Sequence, residues 1–232
     1  MNNILFPDWQ THVEVDKKTL DEYAHLFNWL KDNARLSVNV HDHDISLCGG
    51  MVWRLKPAFY PEVSHILCQD SDSLTSYREA LVVQKWLESG KKCLAMLDNR
   101  AHTGLMGGMV GFDTSYLKGT MEAQKFENLV FGWDFSQRGS DQNWMNAKML
   151  PRIKDEVIWF GSVYNKMPDK YAADPLPQVN PALYESNLCS EFIGSPGFNI
   201  METLRFLKRF DPEPHKYEEI EKQFSTLFFW QL

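Results

Sequence analysis

The chain predicts an α/β fold, a mixed central sheet flanked by helices. Three observations lead there. Short apolar runs at 36–40, 63–68, 92–97 and 157–163 have the length and composition of strands. Segments with helical spacing of apolar residues lie between them. The 232 residues, 44% hydrophobic and 24% charged, suit one large domain with a buried core rather than a disordered or fibrous chain.

The elements follow in chain order. Residues 4–15 mix apolar side chains with Pro7 and read as a short strand and turn. Over 16–33, Leu20, Tyr23, Ala24, Phe27 and Leu30 recur at helical spacing, and Asp16 is placed to cap the helix. Residues 36–40 alternate as a half-buried strand does. His41-Asp42-His43-Asp44 then has the residue types of a metal site. In an extended segment its two His and two Asp would fall on opposite sides, so a solvated turn is the expectation. The strand at 63–68 runs into Gln69-Asp70-Ser71-Asp72-Ser73. Ser76-Tyr77-Arg78-Glu79 has capping-box form and opens a helix through Leu81, Val82, Trp86 and Leu87, with Gly90 suited to its C-cap. The strand at 92–97 closes on Asp98.

A glycine-rich stretch, 104–111, reads as a tight turn or as backbone able to approach a ligand at Gly107 and Gly108. It lacks the spacing of a dinucleotide fingerprint. Ser140 is placed to cap a helix that starts at Asp141 and stops near Pro151. After the strand at 157–163, residues 166–197 form a proline-rich loop. A short helix is expected at 201–210. A last one, at 215–232, carries Tyr217, Ile220, Phe224, Leu227 and Phe228 on one side. No repeat divides the chain, so 1–232 reads as a single domain with a helical tail from about residue 212.

Twenty-four basic against 31 acidic residues give a net charge of −7, which excludes the basic footprint of a non-specific nucleic-acid binder. No apolar run approaches the ~20 residues of a membrane span, and the N-terminus has no basic segment leading into an apolar core. Cys48, Cys68, Cys93 and Cys189 show no CxxC or zinc spacing and read as free thiols of a reducing compartment. A soluble, cytoplasmic protein is the expectation.

The segment 65–73 carries the most chemistry. Apolar residues deliver Asp70 and Asp72 into a turn at a strand end, where ligand groups collect in α/β sheets. Hard divalent cations such as Mn²⁺ or Mg²⁺ prefer such oxygen donors. An Asx-turn leading into a helix explains the same residues without a ligand. Arg78 can reach a phosphate or Asp72, or lie solvated in the first turn of its helix. Asp98 can bind a sugar or hold Arg78. His102 is a phosphate or hydroxyl contact, or a surface residue. Asp141 is a catalytic or acceptor-binding carboxylate, or an acid stabilising its own helix dipole. Trp133 and Trp144 are candidates to stack on a sugar face.

The order of these segments resembles a family. Gly50-Met51-Val52-Trp53-Arg54-Leu55-Lys56-Pro57 precedes the Asp70-Ser71-Asp72 turn. Arg78-Glu79, Trp86-Leu87-Glu88-Ser89, Asp98 to His102, Gly107-Gly108-Met109-Val110-Gly111 and Gly139-Ser140-Asp141-Gln142 follow it. Over residues 50 to 150 this resembles the metal-dependent glycosyltransferases of GT-A fold, in particular the small ones of large algal DNA viruses and their capsule- and glycan-building relatives. The family's Arg before the first Asp is Gln69 here, its Arg before the third-strand Asp is Leu97, and Ser190-Glu191-Phe192-Ile193-Gly194 lacks the late His of many such enzymes.

The resemblance implies a GT-A-like sheet and transfer of a sugar from a nucleotide-diphosphate donor, UDP by family frequency, to a glycan acceptor. It implies Mn²⁺ or Mg²⁺ on Asp72 directly, with Asp70 supporting the metal or the ribose. Arg54, Arg78, His102, Gly107, Gly108 and Gln142 would line the donor site. Asp98 and Asp141 would be the catalytic carboxylates. A viral origin would place the protein in a host cytoplasm. Two other readings stay open. One is a phosphatase of the haloacid dehalogenase kind, against which stand the late position of the motif and the lack of a downstream Asp-Asp pair. The other is a non-catalytic nucleotide- or glycan-binding module.

Overall fold

The structure, a computed structural model, describes residues 5–33, 36–42, 49–71, 73, 75, 77–98, 102–161 and 174–175. Asp72, His43, Asp44, Ser76, Cys48 and Cys189 lie outside them. So do the helices expected at 201–210 and 215–232, and all of the proline-rich loop but 174–175.

Strand β1 (Thr11–Asp16) ends on the residue that caps helix α1 (Lys17–Glu22). The Asp16 carboxylate accepts from the Thr19 backbone N–H at 2.9 Å and from its hydroxyl at 2.6 Å. The one helix expected over 16–33 is two, broken at Tyr23 before α2 (Ala24–Asn33). Together they make the crossover that a parallel pair of strands needs. Strand β2 (Leu36–His41) then lies parallel to β1, from Thr11 opposite Leu36 to Asp16 opposite His41. These two strands form a sheet of their own rather than joining the main one. His41, expected in a solvated turn, is the last residue of β2.

The segment Gly49–Phe59 is a long 3₁₀ helix, which the sequence pattern does not predict. Its buried residues Val52, Leu55 and Ala58 recur every three positions. That is the 3₁₀ period, in which such side chains eclipse one another, and a search for 3.6-residue spacing passes over it.

The main sheet is built from β3 (His65–Gln69), β4 (Cys93–Leu97), β5 (Met109–Asp113), β6 (Val157–Gly161) and the short β7 (Asp174–Pro175). Their order is β3-β5-β4-β6-β7, antiparallel on both sides of β5 and parallel from β4 to β7. Every residue of β4 is buried. Cys93, Ala95 and Leu97 point into one core, with Phe112, Trp144, Met149 and Leu55. Leu94 and Met96 point into the other, with Val82, Val83 and Trp86 of helix α3 (Tyr77–Ser89). The alternation of a strand thus fills two cores, one on each face.

Two corrections concern the segment after β4. Residues 109–113, read with the glycines as a turn, are strand β5, which lies between β3 and β4. Helices α4 (Thr114–Thr120) and α5 (Phe126–Val130) follow, too short to show a period in sequence. A third concerns Ser140, expected as a cap. It is the first residue of α6 (Ser140–Trp144), and Gly139 with φ +77° precedes it. The helical run does not stop at Pro151. A π turn, Met145–Met149, sits ahead of that proline, whose missing N–H interrupts the ordinary ladder, and α7 (Leu150–Ile153) completes the run. Among the described residues no helix is long and apolar enough to cross a membrane.

Candidate functional site

Strands β3 and β4 both run antiparallel to β5, which lies between them. Their C-terminal ends therefore share one edge of the sheet, and β5 begins at that same edge. The chain leaves β3 at Asp70, leaves β4 at Asp98 and enters β5 through Gly107-Gly108. Topology alone gathers three of the segments singled out in sequence.

Asp70 is held by Arg54 of the 3₁₀ helix, whose Nη1 donates to Oδ1 at 2.6 Å. The same guanidinium donates through Nε to the Met51 carbonyl at 2.6 Å, which fixes its stem. The two glycines meet this pair in contact. A Cβ on Gly108 would lie 2.5 Å from Asp70 Cγ. A Cβ on Gly107 would lie 2.6 Å from Asp141 Oδ2 and 3.2 Å from Arg54 Nη1. No side chain fits at either position, so these glycines serve close approach rather than a turn.

Asp141 stands in the first turn of α6 and is 2% exposed. Neither of its oxygens has a hydrogen-bond partner among the described residues. With Ser73 Oγ, they are the three buried side-chain polar atoms without a partner among those residues. Ser73 closes the turn after β3, its N–H donating to the Asp70 carbonyl at 3.1 Å. An unsatisfied buried polar group costs about 1–3 kcal/mol, and more when charged. Among the described residues such groups occur where the strand ends converge.

The neighbouring carboxylates are satisfied. Asp98, 1% exposed, accepts from Arg78 Nη1 at 2.7 Å and Nη2 at 3.2 Å, a bidentate pair. Of the two roles open to Asp98 in sequence, binding a sugar or holding Arg78, the structure shows the second. Glu79, expected to close a capping box, is buried and accepts from Gln69 Nε2 at 2.7 Å. Gln69 also donates to Thr75 Oγ1 at 2.8 Å.

His102 accepts the Asp98 backbone N–H on Nδ1 at 3.2 Å. Burial pulls its pKa below the usual value, against the opposing pull of Asp98 and Asp70. Burial thus favours the neutral imidazole at the edge of the site. Gln142 is half-buried, and its carbonyl accepts from Asn146 Nδ2 at 2.8 Å. Asn146, which the sequence reading missed, also pairs with both backbone groups of Leu105, at 2.8 and 2.9 Å. It ties the glycine-rich loop to the helix of Asp141. Its only signal in sequence is a place four residues after Gln142, on the same helix face. Trp144, a candidate to stack on a sugar, is buried against Phe135 and offers no face. Trp133 is half-buried, with Lys148 Nζ 5.7 Å from its ring centre.

The donor chemistry here fits a hard cation. It is oxygen-based: one carboxylate, Asp70, is paired with a guanidinium, and a second, Asp141, has no partner among the described residues. The described residues do not by themselves make a ligand shell, since among them no group of three or more His, Cys, Asp or Glu side chains is placed to hold a metal ion. Buried thiols are not part of the site: burial pushes Cys68 and Cys93 up to about 12, and both are unpaired. A separate cleft, between the N-terminal segment at Phe6–Trp9 and α3 at Val83 and Leu87, shares no residue with the site.

A second polar cluster was also missed. Glu14 of β1 accepts from His12 Nε2 at 2.9 Å, Tyr60 Oη at 2.6 Å, His41 Nε2 at 2.5 Å and Asn39 Nδ2 at 2.9 Å. Lys56 Nζ lies 3.2 Å from His41 Nδ1, and an ammonium only donates, so that nitrogen accepts. This cluster joins the small sheet to the 3₁₀ helix that carries Arg54.

No protein-family model, curated protein or solved structure matches the chain.

Proposed function

We propose that the chain is a metal-dependent glycosyltransferase of the GT-A kind, moving a sugar from a nucleotide-diphosphate donor, UDP favoured, to a glycan acceptor. The observation that carries the reading is Asp141. A buried carboxylate with no partner among the described residues, in contact with a glycine beside the Arg54–Asp70 pair, is what a site waiting for polar ligand groups holds. The family resemblance in sequence and the clustering at one sheet edge support it.

In this reading Asp70 and Asp72 hold Mn²⁺ or Mg²⁺, which when bound offsets the charge of the leaving diphosphate. Arg54 and His102 face the donor's polar groups. Gly107 and Gly108 let ligand and backbone approach. Asp141 faces the reacting carbon or the acceptor hydroxyl. Asp98 and Arg78, already paired, are positioning residues that hold the end of β4 against α3.

The test is a screen of nucleotide-sugars with Mn²⁺ and with a chelator, following nucleotide release and thermal protection. Protection by a UDP-sugar that collapses with chelator, together with slow nucleotide release, is expected. Protection without any release with a range of acceptors would make the chain a binding module. The absence of both would overturn the reading.

A further inference from the structure

We propose that Arg54 is exchanged between two carboxylates. It neutralises Asp70 in the ligand-free protein and moves to Asp141 when a divalent cation takes Asp70. The inference rests on the reading that Asp70 holds such a cation.

The guanidinium is partly engaged. Nη1 donates to Asp70 and Nε to the Met51 carbonyl, while Nη2 has no partner among the described residues. Its stem is therefore fixed and its far end retains donors. Asp141 is the complementary group, a buried carboxylate with neither oxygen partnered among the described residues. The two approach one point, the place of a Cβ on Gly107, at 3.2 Å for Arg54 Nη1 and 2.6 Å for Asp141 Oδ2. They nonetheless form no ion pair. Glycine at 107 leaves open the space that a side chain would fill between them.

The charges supply the direction. Two carboxyl groups, Asp70 and Asp141, stand beside the single guanidinium of Arg54. A cation on Asp70 repels the adjacent guanidinium, and charges this close in a half-buried site interact strongly. Asp141 is the acceptor within reach. The move satisfies an orphan carboxylate and couples the cation to the far side of the site. Occupancy of Asp70 would orient Asp141, and the pairing at Asp141 would in turn strengthen cation binding. Arg54 is in this sense a positioning residue for Asp141.

The experiment measures Mn²⁺ alone on the full chain, by calorimetry and by the spin-resonance signal of free Mn²⁺. R54M keeps an apolar stem and removes the competitor, so Mn²⁺ affinity should rise about tenfold. A double-mutant cycle isolates the exchange. D141N should lower Mn²⁺ affinity about tenfold with Arg54 present, because the displaced guanidinium has lost its second partner, and less than about threefold in R54M. Equal losses in both backgrounds would show Asp141 acting only as a nearby charge and would overturn the exchange. An R54M protein that binds Mn²⁺ no more tightly than the native chain would overturn it too, while leaving the metal reading in place. Mn²⁺ bound by neither protein would sink both. If R54M loses its near-ultraviolet dichroism, R54Q carries the same cycle, since its amide still donates to the Met51 carbonyl.

Discussion

The carboxylates of Glu14 and Asp141 are both nearly out of solvent, with 4% of the Glu14 side chain and 2% of Asp141 exposed. Their surroundings are opposite. Glu14 collects four donors from three segments of the chain. Asp141 collects none among the described residues. Burial pushes Glu14 up, but the bonds from His12, Tyr60, His41 and Asn39 outweigh it and hold the group at about 2. A filled carboxylate of this kind fastens elements together. It has no capacity left for a ligand, although its two histidines make it look more like a site. The empty carboxylate lowers stability, and a fold retains such a group where something else is to complete it.

The comparison can be broken at either end. The largest effect is expected at Asp141. D141N should lower donor turnover by ~10³-fold, the range of a lost acid, base or polar contact in the transition state. The melting temperature should hold or rise, because a buried carboxyl group with no partner among the described residues has been removed. A melting temperature that falls with turnover intact would make Asp141 structural. Asp98 extends the comparison to a second filled carboxylate. D98N leaves Arg78 without its charge partner and should cost about 3 kcal/mol in denaturant unfolding.

Glu14 comes next. E14Q should cost ~2 kcal/mol at neutral pH and leave nucleotide protection unchanged per folded molecule. The folded pKa lies below the ordinary 4.5, so the stabilisation is full above 4.5 and is lost as pH falls towards about 2. An acid titration of stability should show that loss in the native chain and not in E14Q.

The smallest effect is expected at His102. Its pKa is lowered by burial, so the neutral form favours the fold. That contribution is full above the ordinary 6.5 and is lost as pH falls through the lowered value. H102Q should remove this shallow dependence. A native chain that gains stability on acidification below 6.5 would reverse the assignment.

Much of the frame is legible in sequence because it is local. Asp16 caps a helix through Thr19, three residues away. The strands at 65–69, 93–97 and 157–161 show as apolar runs because each packs against the core, β4 along its whole length. Asp70 and Asp98 follow as strand-end acids. Four elements escaped for local reasons as well. The 3₁₀ helix has the wrong period, β5 is masked by its glycines, and α4 and α5 are too short for any period.

The partnerships are another matter. Glu14 meets Asn39 and His41 25 and 27 residues on, and Tyr60 46 residues on. Arg54 meets Asp70 across 16 residues, and Arg78 meets Asp98 across 20. The sequence by itself determined which residues can carry charge, where strands end and where helices begin, since these depend on neighbours within a turn or two. Only the tertiary structure decided which carboxylates are filled and which is left empty. The position of β5 between β3 and β4 brings the strand ends to one edge, and the packing of Asp141 against Gly107 buries it there with no donor among the described residues. Neither can be read from spacing, because both depend on elements that meet only after the chain has folded.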